Sequence, residues 1–376
     1  MGIVPPYVVT GSVGPIVARF NGKLSIDEIA QELAPLGATR QLVSDVARAL
    51  DEHLMLESSP FFERFQTVVN EFRAATVRQP AHAGGAYPID TAELSTLVDS
   101  CMAPEPTSPL PPLLAIMVPH IDYRRGGSSY GIGYSALRST RPDLIIVIGT
   151  AHQASRHLFH LTSKDFASPG RIFTNDAAST RFLASQYGFE RSFGDEFLHK
   201  HEHSLELQLP FLRASIPSDS QIVPILIGSF HQFVRAGRHP SEYEPYQTFV
   251  GALEELYRSV RKEGRSIVFV AGVDIAHCGM AFGDPSPLSE ADLATIRDRD
   301  AQYLFSIRDR DVNRLFAHVE EDQDARRICG FPTMYLMTDL LNRLQAPGTP
   351  QILDYQMAFD PQSDTCVTFG AASFPV

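Results

Sequence analysis

The stretch Ile267-Val268-Phe269-Val270-Ala271-Gly272-Val273-Asp274-Ile275-Ala276-His277-Cys278-Gly279 decides how this chain folds. It opens on an unbroken apolar run rich in branched side chains, the pattern of a strand covered on both faces. It then turns at once into glycine, carboxylate and imidazole. Three more runs of the first kind occupy residues 113–118, 144–148 and 222–227, and helical stretches at 128–137, 177–187, 201–214 and 246–261 fall among them. Alternation of this sort predicts an α/β fold, a mostly parallel sheet flanked by helices. Ligands of such sheets sit outside the carboxyl ends of the strands, and that edge is where the polar residues fall. One strand runs into Pro119-His120-Ile121-Asp122-Tyr123, another into Gly149-Thr150-Ala151-His152, and the third into Asp274 and His277.

Imidazoles delivered to one edge by three strands point to a metal site, because neutral imidazole is the commonest metal ligand and adjacent carboxylates fix its tautomer. His199-Lys200-His201-Glu202-His203 adds two histidines four residues apart, which on a continuous helix would share a face. The order is not that of the zinc-protease motif H-E-x-x-H. His203 is a candidate acid/base group or ligand, anchored by Leu205, Leu209 and Leu212.

The 376 residues carry 32 Lys+Arg against 44 Asp+Glu, a net charge of −12. That balance argues against nucleic acid and anionic membrane as partners. No apolar run approaches the roughly 18 residues of a spanning helix, and no basic residue precedes Arg19, so neither a membrane anchor nor a secretory signal is expected. Cys101, Cys278, Cys329 and Cys366 are scattered, as suits a reducing cytoplasm. Cys329 and Cys366 read as core residues, and Cys278, beside His277, as the one thiol near the chemistry.

Residues 1–76 form a different unit. Ser25 with Glu28 makes a capping box, Thr39 caps a second helix with Leu42, Val46, Leu50 and Leu54 on one face, and a third helix is expected over 61–75. With an extended stretch over 8–20, this predicts a winged-helix-like α+β module. Seven basic against nine acidic residues through Pro80 favour a peptide or protein partner over DNA. The Pro-rich stretch 104–112 reads as a linker inside the main domain, 81–376.

Two resemblances follow from these residues. Phe20-Asn21-Gly22-Lys23-Leu24-Ser25-Ile26-Asp27-Glu28-Ile29-Ala30 and the segment 49–57 make the front module resemble small PqqD-like winged-helix domains, which bind peptides. The main domain resembles the MEMO family, the B proteins of the AmmeMemoRadiSam system. The resemblance rests on Ala83-Gly84-Gly85-Ala86-Tyr87-Pro88, Pro119-His120-Ile121-Asp122-Tyr123, Gly149-Thr150-Ala151-His152, Glu202-His203-Ser204-Leu205-Glu206, Asp274-Ile275-Ala276-His277 and Cys329-Gly330-Phe331-Pro332, in family order. It implies a fold similar to class III extradiol dioxygenases and a pocket for iron or copper held by two His and a Cys. It matches His120 and His152 to the His ligands, His203 to a pocket acid/base, and the Cys position to Ala276, which cannot coordinate. Asp274 or His203 would then complete the site, with His277 as a further catalytic candidate and Asp122, Tyr123, Glu202 and Cys278 around the substrate.

The resulting expectation is a non-heme iron or copper oxidoreductase, dioxygenase-like in chemistry. The vacancy at Ala276 leaves open a non-catalytic peptide- or protein-binding module, with a radical SAM protein and an AMMECR1-type protein as the partners that the resemblance implies. Metal-assisted hydrolysis with the same ligands is the third reading.

Overall fold

The computed structural model describes residues 9–104 and 111–376, so most of the Pro-rich stretch 104–112 lies outside the described residues. Two compact units meet at residue 75, Met1–Ala75 and Thr76–Val376. The first is built from helices at Gly14–Val17, Ile26–Glu32, Arg40–Glu52 and Ser59–Ala74. Ser25 and Glu28 form the reciprocal capping box and Thr39 caps the next helix through the Leu42 N–H. Ile16, Ile29, Leu33 and Val43 close a small core. The segment expected to be extended instead holds a 3₁₀ turn at Gly11–Val13 and the first helix. Pro15 stands in the first turn of that helix, where its missing N–H costs nothing, and Ile16 anchors it in the core. Among its described residues this unit has no strand, hence no wing.

In the second unit the described strands are β1 Val77–Arg78, β2 Leu113–Val118, β3 Leu144–Thr150, β4 Phe159–Leu161, β5 Asp165–Ser168, β6 Arg171–Phe173, β7 Gln221–Ile227, β8 Ile267–Gly272, β9 His277–Cys278, β10 Gln351–Asp360 and β11 Thr365–Pro375. The large sheet runs β10-β11-β2-β8-β3-β7-β4, with β9 beside β11, and β1-β5-β6 form a small separate sheet. Its centre, β2-β8-β3-β7, is parallel, while β4, β9, β10 and β11 pair antiparallel at the margins. The parallel order expected from the apolar runs therefore holds for the middle of the sheet.

Burial on both faces explains those runs. Along β3, Leu144, Ile146 and Ile148 enter one core with Phe249, Leu253, Met334 and Met337. Ile145 and Val147 enter another with Tyr130, Tyr134 and Phe211. The helices Glu244–Lys262 and Phe331–Arg343 supply the first cover, and Tyr123–Leu137 and Leu209–Ser215 the second.

A buried ion pair joins the start of this unit to its centre. Arg78 and Glu206 are fully enclosed and in contact, and Arg78 also donates to the carbonyls of His199 and Glu202. Glu206 further accepts from the backbone N–H groups of Ala81 and His82 and from the Tyr87 hydroxyl. Burial raises the Glu206 pKa, but Arg78 and these donors outweigh it and hold it below the ordinary value. Glu206→Gln leaves the guanidinium buried without its counter-charge and is expected to cost about 3–5 kcal/mol in urea unfolding. A depressed carboxylate contributes stability above its unfolded pKa and loses it on acidification. The gap between wild type and Glu206→Gln should therefore be full at neutral pH and shrink below about pH 4.

Candidate metal centre

The carboxyl ends of β2, β3 and β8 converge under one short helix, His203–Glu206. Its Ser204 hydroxyl donates to the Thr150 carbonyl at the end of β3, and Gln208 donates to the Pro119 carbonyl just past β2. The helix can approach so closely because Gly272 ends β8. A Cβ there would stand 2.6 Å from Gln208 Nε2 and 2.8 Å from the Ser204 carbonyl. The sequence reading ran a single helix from residue 201. The chain instead makes a 3₁₀ turn at Glu196–Lys200 and restarts at His203 with Glu202 as N-cap. His199 and His203 therefore do not share a helix face. His199 is buried against the His160 carbonyl, and His203 joins the strand ends.

There it meets His120 and His152. The ring centroids are 5.1 Å apart for His120 and His152, 5.4 Å for His120 and His203, and 4.6 Å for His152 and His203. One ligand nitrogen from each of the three rings lies within 4.8 Å of the others. Each Nδ1 faces an oxygen. His120 Nδ1 lies 3.0 Å from the Gly272 carbonyl, and His152 Nδ1 and His203 Nδ1 lie 2.9 and 3.2 Å from the same oxygen, Glu202 Oε1. The first two are hydrogen bonds, and donation from Nδ1–H there leaves Nε2 of His120 and His152 with its lone pair, the arrangement that metal-binding histidines need; the His203 contact is an electrostatic one. Burial, reinforced by the neighbouring His152, drops the His120 pKa to about 3. Burial with His120 close by does the same to His203, also to about 3. Burial lowers His152 too, but its hydrogen bond to Glu202 reverses the direction and its pKa is raised.

Asp274 is buried behind His120. Its Oδ1 accepts the backbone N–H groups of His120 and Ile121, and Oδ2 stands 3.7 Å from His120 Nε2. His277 bonds through Nδ1 to the Arg327 carbonyl. His277, Asp274, Asp122 and the three imidazoles line a cavity of about 510 Å³ together with Ile121, Leu207, Phe282 and Val367. Asp122 also caps the helix Tyr123–Leu137 and pairs with Arg125. Glu202 stands behind the imidazoles.

Two residues expected around the substrate lie elsewhere. Tyr123 turns into the core, its hydroxyl donating to the Leu207 carbonyl, because the helix begins at this residue and presents the ring to Tyr130 and Phe211. Cys278 is buried opposite Cys366 across the β9–β11 pair, and burial pushes its thiol up to about 12.

The thiol beside the imidazoles is Cys329. Its Sγ lies 3.2 Å from His120 Nε2, and burial holds its pKa well above the usual thiol value. Ala276 is packed instead with Cys278, Leu293 and Cys366, its backbone held by Thr368. Position 276 therefore offers the imidazoles no donor, and the thiol near them comes from another loop. In Cys329-Gly330-Phe331-Pro332 a glycine corner and a first-turn proline announce a loop entering a helix. A Cβ on Gly330 would lie 2.5 Å from the Asp274 carbonyl, so the bare glycine lets this corner rest on the Asp274 backbone and brings the thiol in.

Residues 78–374 match the family model described as Memo-like protein. The chain belongs to the MEMO family. MEMO1 family proteins from Aquifex aeolicus, Methanobrevibacter smithii and Thermus thermophilus are similar to it. The first is 22% identical, spanning 100% of this chain and 94% of its own. The second is 25% identical over 79% and 98%, and the third 26% over 70% and 73%. The Aquifex match runs through the N-terminal unit as well as the MEMO domain. The α/β architecture is the one associated with this family, similar to class III extradiol dioxygenases. No described helix of this MEMO protein is long and apolar enough to cross a membrane.

The carboxylate that holds the His152 ring has a spectroscopic signature. In metal-free protein at alkaline pH, ¹⁵N NMR should show His152 as the Nδ1–H tautomer. In Glu202→Gln it should become a tautomer mixture, while His120, held by the Gly272 carbonyl, should not change. An unaltered His152 spectrum in the variant would refute the clamp.

Proposed function

We propose that this chain is a metal-dependent oxidoreductase whose centre is held by His120, His152 and His203, with the Cys329 thiol as an adjoining donor. The observation that carries this reading is the convergence of three imidazoles at the strand ends, two of them with Nδ1 hydrogen-bonded to an acceptor. Three imidazoles beside a thiol suit copper or iron better than the hard, all-oxygen cations. Bound there, such a metal would supply redox and Lewis-acid chemistry. The nearby thiol also removes the reason for reading the centre as lost, and with it the main support for a purely binding role.

The remaining residues have assignable work. Glu202 and the Gly272 carbonyl fix the orientation of the His152 and His120 rings. Asp274, through the backbone of His120 and Ile121, fixes the position of the loop that carries the first ring. His277 donates through Nδ1 to the Arg327 carbonyl, so its Nε2 is the basic nitrogen. Burial lowers its pKa, leaving it neutral and able to accept a proton from a substrate hydroxyl in the cavity. Ile121, Leu207, Phe282 and Val367 give that cavity apolar walls, and this combination suits a small aromatic alcohol of the catechol type.

Protein purified without oxygen should carry iron or copper. His120→Ala and His152→Ala should each retain less than about a tenth of it, and Cys329→Ser an intermediate amount, by elemental analysis. Equal metal in all four proteins would sink the proposal. His277→Gln should keep the metal and lose catechol oxidation by roughly 10²-fold or more in kcat.

A further inference from the structure

Two of the cavities among the described residues adjoin the centre, and they divide its side chains unevenly. The cavity of about 510 Å³ touches His120, His152, His203 and Asp274 but not Cys329. A second cavity, of about 220 Å³, touches Cys329 and His152 but neither His120 nor His203. The partition between them is the contact of His120 Nε2 with Cys329 Sγ at 3.2 Å, and His152 borders both sides. Cys329 is partly exposed, whereas Cys278 and Cys366 are buried.

The walls of the smaller cavity indicate what it admits. Phe230, Val234, Ile328, Phe331 and Pro332 make them mostly apolar. Its charged residues are already engaged. Arg327 pairs with Asp284 and donates to the carbonyls of His277 and Ala325, and Asp324 accepts the Ile328 N–H. The volume lies below the roughly 300–1,000 Å³ of ordinary ligand pockets. Ser229 and His231, both exposed, line this cavity and also a polar cleft of about 630 Å³ that contains Arg156 and Arg191. They mark its mouth.

We propose that the centre is entered from two sides, and that the smaller cavity is a separate way in for a small, uncharged co-reactant of a few non-hydrogen atoms, which meets Cys329 and His152. A substrate seated in the larger cavity covers the imidazole side and leaves this second way open. The two reactants then reach the same centre without displacing each other. What the small molecule does there rests on the redox reading above. The route itself does not.

The route is tested with iodoacetamide, a small neutral thiol reagent, on full-length protein treated with a chelator, following each cysteine by peptide mass spectrometry. The wild-type rate at Cys329 is the reference for each variant, because the same thiol is compared with itself. His231→Trp, at the mouth of the small cavity, should slow Cys329 by about tenfold or more, while Ala86→Trp, an exposed position on the larger cavity, should change it less than about twofold. Slowing by Ala86→Trp, or equal rates in all three proteins, would overturn the proposal. Thermal melts establish that the variants are folded, and Ser229→Trp takes the place of His231→Trp if that chain is not. A protein that binds no metal yet gives the expected alkylation pattern would refute the redox reading and leave the second entrance standing.

Discussion

The geometry of this centre depends on one carboxylate. Glu202 is buried, its Oε1 faces Nδ1 of both His152 and His203, and Oε2 accepts the His152 backbone N–H. The same side chain caps the short helix through the Ser204 N–H. Burial alone would raise its pKa, yet the bond to His152 and the two imidazoles hold it far below the ordinary value, so it stays a charged acceptor. One ionised group thus sets the start of a helix, the tautomer of His152 and the position of the loop after β3. Glu206, one turn on, does the corresponding work for the segment 78–87. A single helical turn with a carboxylate at each end fastens the strand ends to the beginning of the domain.

Much of this was legible in the residues. The central strands announced themselves because burial on both faces demands unbroken apolar runs, and the rule that ligands collect at their carboxyl ends picked out His120, His152, Asp274 and His277. What escaped depended on long-range approach. Cys329 lies 209 residues from His120 and reaches it through a glycine corner that local pattern reads only as a helix start. Cys278 looked nearer because it follows His277, but β9 turns its side chain away from the cavity and into a cluster with Cys366. The antiparallel hairpin β10–β11 likewise leaves little local trace, since β10 is only half-buried along its length. In the N-terminal unit the capping residues gave the helices correctly. The wing failed because a proline suited to a helix's first turn sits inside the stretch taken as extended.

Family membership and geometry bear on different questions. The MEMO match, with relatives aligned over most of their own lengths, accounts for the architecture. The arrangement of imidazoles is an observation on this chain's own residues, and it sets a thiol, Cys329, beside His120 from a loop other than that of Ala276. The backbone around Ala276 still matters to the site, because Thr368 grips both its N–H and its carbonyl and so steadies the loop running from Asp274 to His277.

The wide spacing of the donors along the chain has a thermodynamic meaning. His120, His152, His203 and Cys329 belong to separate loops, so the unfolded polypeptide holds no local chelate and would have to close very long loops to imitate one. An ion that recognises only the finished fold adds its whole binding free energy to the global unfolding equilibrium instead of to one region. For a centre that holds such an ion, occupancy and the cooperativity of the whole α/β domain would be one quantity, and a substitution that loosens the sheet far from the imidazoles would weaken ion retention as surely as one beside them.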